Sequence, residues 1–201
     1  MCLLFETIAC KNGQLQNLKW HSARLNNSRK LIFDYQDYIS LEEIIPPDFT
    51  RRGVWKCHVQ YGRQLGAVSF EPYRAKIIET LRLVESTLDY TFKFHNRLEI
   101  DELYQQRNKS DDIIIIKDGR VTDTSIANIL LYDGGQWITS NTPLLEGTMR
   151  AKLINIGKIK IKPVFEKDLF DYKKLMLINV LNPFDESRVI DISSVSSREQ
   201  S

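Results

Sequence analysis

Turn signals cut this chain into short apolar runs, and that spacing restricts its fold more than any other feature. Asn12-Gly13 separates the run Leu3 to Cys10 from a second one starting at Leu15. Asp118-Gly119 separates Ile113 to Ile116 from Val121, and Asp133-Gly134-Gly135 separates Ile129 to Tyr132 from Trp137 to Thr139. Asn, Asp and Gly tolerate the positive φ of tight turns, so each site reads as a β-hairpin. Between the hairpins, Leu18 to Ile32 carries Trp20, Ala23, Leu25, Leu31 and Ile32 among basic and polar residues. That pattern predicts a helix with His21 and Arg24, at i and i+3, on one face. Asn96 to Gln106 reads as a second helix with Leu98, Leu103 and Tyr104 inward. A third runs from about Met149 to Ile156, with Thr148 as its N-cap. Helices and strands mix without strict alternation, so the expected class is α+β.

The remaining segments are read more coarsely. Residues 41–44 form a short helix stopped by Pro46-Pro47. Gly53 to Gln60 and Leu65 to Phe70 are strands, and Tyr90 to Phe94 is a short aromatic strand. Residues 71–89 are the expected connection between two halves, giving a smaller N-terminal domain over 1–88 and a second over 89–201. Leu175 to Leu181 is among the closing strands, and Ser193 to Ser201 is expected to fray.

Composition narrows the function classes. At 201 residues the chain holds one large or two small domains. Its net charge of +2 gives no warrant for a nucleic-acid or membrane partner. Apolar runs such as Ile113 to Ile116 are only strand-sized, far from the ~18 residues of a membrane span. The short apolar N-terminus lacks a basic flank, so no signal peptide is expected and a cytoplasmic location is the default. Cys2, Cys10 and Cys57 are odd in number and scattered, and His21, His58 and His95 are isolated. Cys57 and His58 are adjacent, but neighbouring strand residues face opposite ways. Neither a disulfide framework nor a metal site is expected.

Four positions could carry chemistry. Lys93 is a charged residue centred in Tyr90-Thr91-Phe92-Lys93-Phe94. It is either an edge lysine on a wet face or an amine partly withdrawn from water, and the second would make a nucleophile of the kind an imine-forming lysine needs. Gly147-Thr148 precedes a helix whose free N–H groups could bind phosphate or serve as an ordinary cap. Arg24 could clamp a phosphate bidentately or lie solvated. Asp123 sits in Val121-Thr122-Asp123-Thr124-Ser125-Ile126-Ala127-Asn128, where its carboxylate could hold a protonated ring nitrogen or simply cap a turn.

Together and in order, these residues resemble the class IV pyridoxal-phosphate aminotransferase family, which includes branched-chain aminotransferases, D-amino-acid transaminases and 4-amino-4-deoxychorismate lyases. Phe5-Glu6-Thr7-Ile8 with Asn12-Gly13 resembles the family's early strand and turn, and His21-Ser22-Ala23-Arg24-Leu25 its His-x-x-Arg-Leu helix. Lys93-Phe94-His95-Asn96-Arg97-Leu98-Glu99 is similar to the Lys-x-x-Asn-Arg-Leu-Glu of the lyases. Asp123-Thr124-Ser125-Ile126-Ala127-Asn128 looks like the signature loop, and Thr142-Pro143 to Arg150 looks like the phosphate-wrapping segment.

The resemblance implies a two-domain fold-type IV enzyme, D-amino-acid aminotransferase-like, with a shortened N-terminus. It implies pyridoxal 5′-phosphate as cofactor, a Schiff base on Lys93, and Asp123, where the family usually has glutamate, opposite the ring nitrogen. Cofactor contacts are implied for Arg24, Ser125, Ala127, Asn128, Gly147, Thr148 and Met149, the last standing where a threonine is common. A small amino substrate and a homodimer follow, with lyase or aminotransferase activity. The alternative is a shortened, non-catalytic member that binds the cofactor or a protein partner.

Overall fold

A computed structural model describes residues 3–197, so Met1, Cys2 and Arg198 to Ser201 lie outside the account. Contacts divide the chain into two compact units. One runs to Ala75 and takes back Phe92–Asn96; the other comprises Lys76–Thr91 and Arg97–Ser201. The expected division at residue 88 is therefore displaced on both sides, because 76–91 contributes a strand to the second unit while 92–96 returns to pair in the first.

The first unit is a four-stranded antiparallel sheet with one long helix. Strand β1 (Leu4–Lys11) turns through Asn12 and Gly13, both at positive φ, into the two-residue β2 (Gln14–Leu15). Helix α1 (Leu18–Phe33) follows, as its periodicity predicts. Strands β3 (Val54–Tyr61) and β4 (Leu65–Pro72) complete the order β2-β1-β3-β4. Leu4 and Ile8 of β1 join Cys57, Val59 and Tyr61 of β3 and Leu25 of α1 in one apolar cluster. The alternation of strand side chains leaves Phe5, Thr7, His58 and Gln60 to the opposite face.

In the second unit, β5 (Leu81–Glu85) lies between β13 (Val195–Ser196) and β6 (Asp112–Lys117), both parallel to it, and β7 (Arg120–Val121) hairpins onto β6. The presumed connection thus holds a central strand: Leu81, Leu83 and Val84 are buried. Of the stretch expected to fray, Val195 and Ser196 pair with β5 instead, and Arg198 to Ser201 lie outside the described residues. Ile113 to Ile116 are all fully buried, the continuous apolar run of a strand covered on both faces. Helix α2 (Leu98–Gln105) turns Ile100 inward, whereas Leu98 is 66% exposed, so the inward assignment of Leu98 is corrected.

A five-stranded sheet completes this unit: β8 (Asn128–Tyr132), β9 (Trp137–Ser140), β10 (Lys160–Lys162), β11 (Lys174–Ile178) and β12 (Ile190–Asp191), in the order β10-β9-β8-β11-β12. Helix α3 (Thr148–Asn155) is the crossover between the parallel strands β9 and β10. Ile129 and Leu131 share a core with Leu83 and Ile114 of the other sheet; Leu130 points the other way, to Met149 and Leu153 of α3. No helix among the described residues is long and apolar enough to cross a membrane.

Candidate active site

In the first unit, chemistry gathers on both faces of β1. Glu6 points to the helix side and is fully buried. A charge there needs partners. Arg24 donates to it through Nε at 2.8 Å and through Nη2 at 2.5 Å, and His21 Nδ1 lies 2.7 Å from Oε2. Burial alone would raise the Glu6 carboxyl, but Arg24 and the hydrogen bonds from His21 and Arg24 outweigh it and hold it at about 2. Burial lowers the His21 pKa against the opposing pull of Glu6, so the neutral ring donates from Nδ1. The i, i+3 spacing read from sequence thus brings His21 and Arg24 to one carboxylate.

Lys93 is not in a strand. Phe94 forms a single bridge with Leu4, the Phe5 N–H donates to the Lys93 carbonyl at 3.1 Å, and the His95 N–H donates to Leu3 at 2.8 Å. The ladder stops there because the Phe94 N–H turns back to the Phe92 carbonyl, which corrects the expected aromatic strand. The segment still alternates. Phe92 and Phe94 pack into the apolar cluster, while Lys93 Nζ stands 4.5 Å from the centre of the Phe5 ring.

The second unit holds the loop from Thr122 to Ala127, which carries the chain from β7 of one sheet to β8 of the other. Small polar side chains close it: the Thr124 hydroxyl accepts from the Ala127 N–H at 3.0 Å, and the Thr124 N–H donates to the Ala127 carbonyl at 2.8 Å. The Ser125 carbonyl receives Arg97 Nη2 at 2.8 Å. Asp123 is buried. Its Oδ1 accepts from Asn128 Nδ2 at 2.7 Å and its Oδ2 from the Leu145 N–H at 2.8 Å. Burial dominates over these bonds and over Arg150, and pushes the carboxyl up to about 7. Asn128 also donates to the Leu145 carbonyl at 2.9 Å, tying this loop to the segment that enters α3.

At that entry Gly147, not Thr148, is the N-cap, and it has no side chain to cap the helix with. Thr148 is its first residue, which corrects the expected cap. A Cβ on Gly147 would lie 1.8 Å from Asn128 Oδ1, so backbone and amide touch in a space no side chain could share. The Met149 side chain packs among Leu130, Trp137 and Leu153. Only its backbone N–H is left for the helix N-terminus. Asp123, Asn128, Gly147 and Thr148 are thus brought together in one unit. Arg24 and Lys93 belong to the other.

Sequence reasoning assigned no site role to three groups. Glu6 signalled itself as a charge inside an apolar strand. His58 and His95 flank Phe5, with ring centroids 4.8 Å and 6.0 Å from it, and nothing in their sequence spacing joins them. Arg150, fully paired with Thr139, Ser140 and Glu146, braces the segment before α3.

Residues 64–185 match the sequence model of the amino-transferase class IV family. An uncharacterized protein of Haemophilus influenzae Rd is 32% identical over 185 residues, spanning 89% of this chain and 97% of the relative. A crystal structure from Haemophilus somnus 129PT, provisionally assigned as a 4-amino-4-deoxychorismate lyase, is 32% identical with a TM-score of 0.81, covering 92% of this chain and 98% of that one. The PLP-bound form of a hypothetical aminotransferase from Mycobacterium tuberculosis has a TM-score of 0.74 at 15% identity, over 96% of this chain and 81% of that one, a likeness of fold.

Proposed function

The chain belongs to the class IV aminotransferase family, and we propose that it is a pyridoxal 5′-phosphate enzyme acting on a small amino substrate. Its reaction is that of a 4-amino-4-deoxychorismate lyase, releasing pyruvate and 4-aminobenzoate, or that of an amino-acid aminotransferase. The run Asn96-Arg97-Leu98-Glu99 and the likeness to the Haemophilus somnus protein favour the lyase.

The observation that carries this proposal is Asp123. A buried carboxylate with both oxygens aimed by Asn128 and Leu145 is an arrangement that favours a cationic N–H partner. The other residues fit the cofactor as well. The contact of Gly147 with Asn128 keeps side chains out of the space beside α3, whose first N–H groups suit a phosphate. Ser125 and Ala127 fix the loop that holds Asp123. When bound, the cofactor supplies an electron sink for the substrate's α-carbon.

The chain's own residues then divide the work. Glu6 and His21 hold the Arg24 guanidinium in the orientation that receives a phosphate. Asp123 keeps a ring nitrogen protonated. Lys93 Nζ would hold the cofactor at its aldehyde carbon, and the same amine would move the substrate's α-proton as base and acid. A homodimer belongs to this proposal, and sedimentation at micromolar concentration tests it: a monomer would remove it.

The decisive experiment is an absorbance spectrum with added pyridoxal phosphate, followed by borohydride reduction and peptide mapping. A visible band and a reduced adduct on Lys93 support the proposal, and their absence overturns it. Pyruvate release from aminodeoxychorismate, against amino transfer to a 2-oxo acid, separates the two reactions. Bound cofactor with neither activity would mean a non-catalytic member.

A further inference from the structure

The loop from Thr122 to Ala127 runs alongside β6, and one side chain of that strand grips its far end. The β6–β7 hairpin sets Ile116 opposite Val121. Past the end of β7 the chain stays beside β6. The Thr122 N–H donates to the Ile115 carbonyl at 3.0 Å, and the Ile115 N–H donates to the Asp123 carbonyl at 2.8 Å. Counted on residue for residue in the same register, Ser125 stands opposite Asp112. There the backbone pairing gives way to a side chain: the Asp112 carboxylate accepts from both the N–H and the hydroxyl of Ser125. Arg97 Nη2 holds the Ser125 carbonyl at 2.8 Å.

We propose that Asp112 is the positioning residue for Asp123, acting through Ser125; this rests on the function proposed above. With its N–H, hydroxyl and carbonyl all engaged, Ser125 fixes the loop just beyond Asp123. Asn128 and the Leu145 N–H aim the Asp123 carboxylate itself. An aspartate carries its carboxylate one methylene from the backbone, so the place of the loop decides the place of the carboxylate. A displacement of ~1 Å at such a group is enough to cost rate. The Ser125 hydroxyl gives its one hydrogen to Asp112, so Ser125 serves the cofactor through the loop and not as a donor to phosphate.

Burial agrees with this role. Asp112 is 1% exposed, at the head of a strand whose next four side chains are fully buried. A carboxyl in such a place is costly unless it is hydrogen-bonded. Its Oδ1 accepts from the Ile113 N–H at 2.8 Å, and the Ser125 donors supply the rest. Burial raises its pKa against these bonds and against the charge of Lys76. The neighbouring Asp111 is less buried and has other work: its Oδ2 accepts from the Glu79 and Thr80 N–H groups, which closes the approach to β5. The two adjacent acids thus serve different segments, and Asp112 is the one turned to the loop of Asp123.

The test reads Asp123 directly. Carbon-13 NMR follows the titration midpoint of its carboxyl in the cofactor-free full chain, in the parent, Asp112→Ala, Asp112→Asn and Ser125→Ala. The raised midpoint of Asp123 comes from burial, so a loosened loop should let it fall from about 7 towards 3.8. In D112A the fall should be about one pH unit or more. D112N keeps one acceptor oxygen and should stay nearer the parent. Unchanged amide signals from β8 and β11 show that the fold is kept; if D112A does not fold, S125A should give a smaller fall of the same sign. With pyridoxal phosphate, kcat per borohydride-trapped Lys93 should drop about tenfold or more in D112A with KM nearly unchanged. D112A should add little to the loss in D123N. An Asp123 midpoint that ignores these substitutions, or losses in D112A and D123N that multiply, overturn the role. The two proposals fail separately. A Lys93 band with an unmoved Asp123 midpoint defeats the positioning role alone; a moved midpoint without a band in the parent defeats the cofactor assignment alone.

Discussion

The fully buried carboxylate of Glu6 takes both Nε and Nη2 of Arg24, whose side chain is 14% exposed. The guanidinium is thereby fixed by the buried carboxylate. A free arginine would lose rotamer entropy on meeting a phosphate, and this one has lost much of it already.

Arg24→Ala should destabilise the fold by about 3–5 kcal/mol, because Glu6 is left as a buried charge without its cationic partner. Urea unfolding measures it. The variant should also lose stabilisation by added pyridoxal phosphate that the parent gains. If the parent and R24A gain equally, Arg24 has no part in holding the phosphate.

Glu6 also fixes the acid limb of the stability curve. Its folded pKa of about 2 lies below the ordinary 4.5, so its contribution is present above 4.5 and is lost as pH falls from 4.5 through 2. Glu6→Gln should remove that slope. An unchanged slope between pH 4.5 and 2 would mean that Glu6 is not held as an anion.

Asp123 has the opposite sign. Its folded pKa is raised to about 7 from 3.8, so the cofactor-free fold favours the protonated form and loses stability as pH rises from about 4 to 7. Asp123→Asn should flatten this window in thermal unfolding. It should also retain the cofactor while losing most of the catalytic rate, since an amide cannot hold a ring proton. Equal rates in parent and D123N would take Asp123 out of the mechanism.

Gly147→Ala tests the contact at the head of α3. Gly147 has an ordinary φ of −68°, so the cost is steric, from a Cβ 1.8 Å from Asn128 Oδ1. Moving Asn128 breaks its bonds to Asp123 and Leu145, and the expected loss is about 1–3 kcal/mol with weakened cofactor binding. Parental stability and affinity in G147A would show that this close approach is dispensable.

The sequence by itself determined the local elements. The Asn12-Gly13 and Asp118-Gly119 hairpins, helix α1 and its His21–Arg24 face follow from φ preference and from the 3.6-residue period, which act within a few residues. The candidate residues became readable only as an ordered set, since each alone had an ordinary structural explanation. Tertiary structure decided what depends on distant partners. Leu81 to Glu85 became a central strand because β6 and β13 lie on either side, and Val195-Ser196 was ordered by the same pairing. Lys93 was kept out of a strand because only one bridge to Leu4 forms. Glu6 found Arg24, and His58 met His95 across Phe5, through strand register. Hydrogen-bonded register and burial are set by segments far apart in the chain, and no local pattern of residues encodes them.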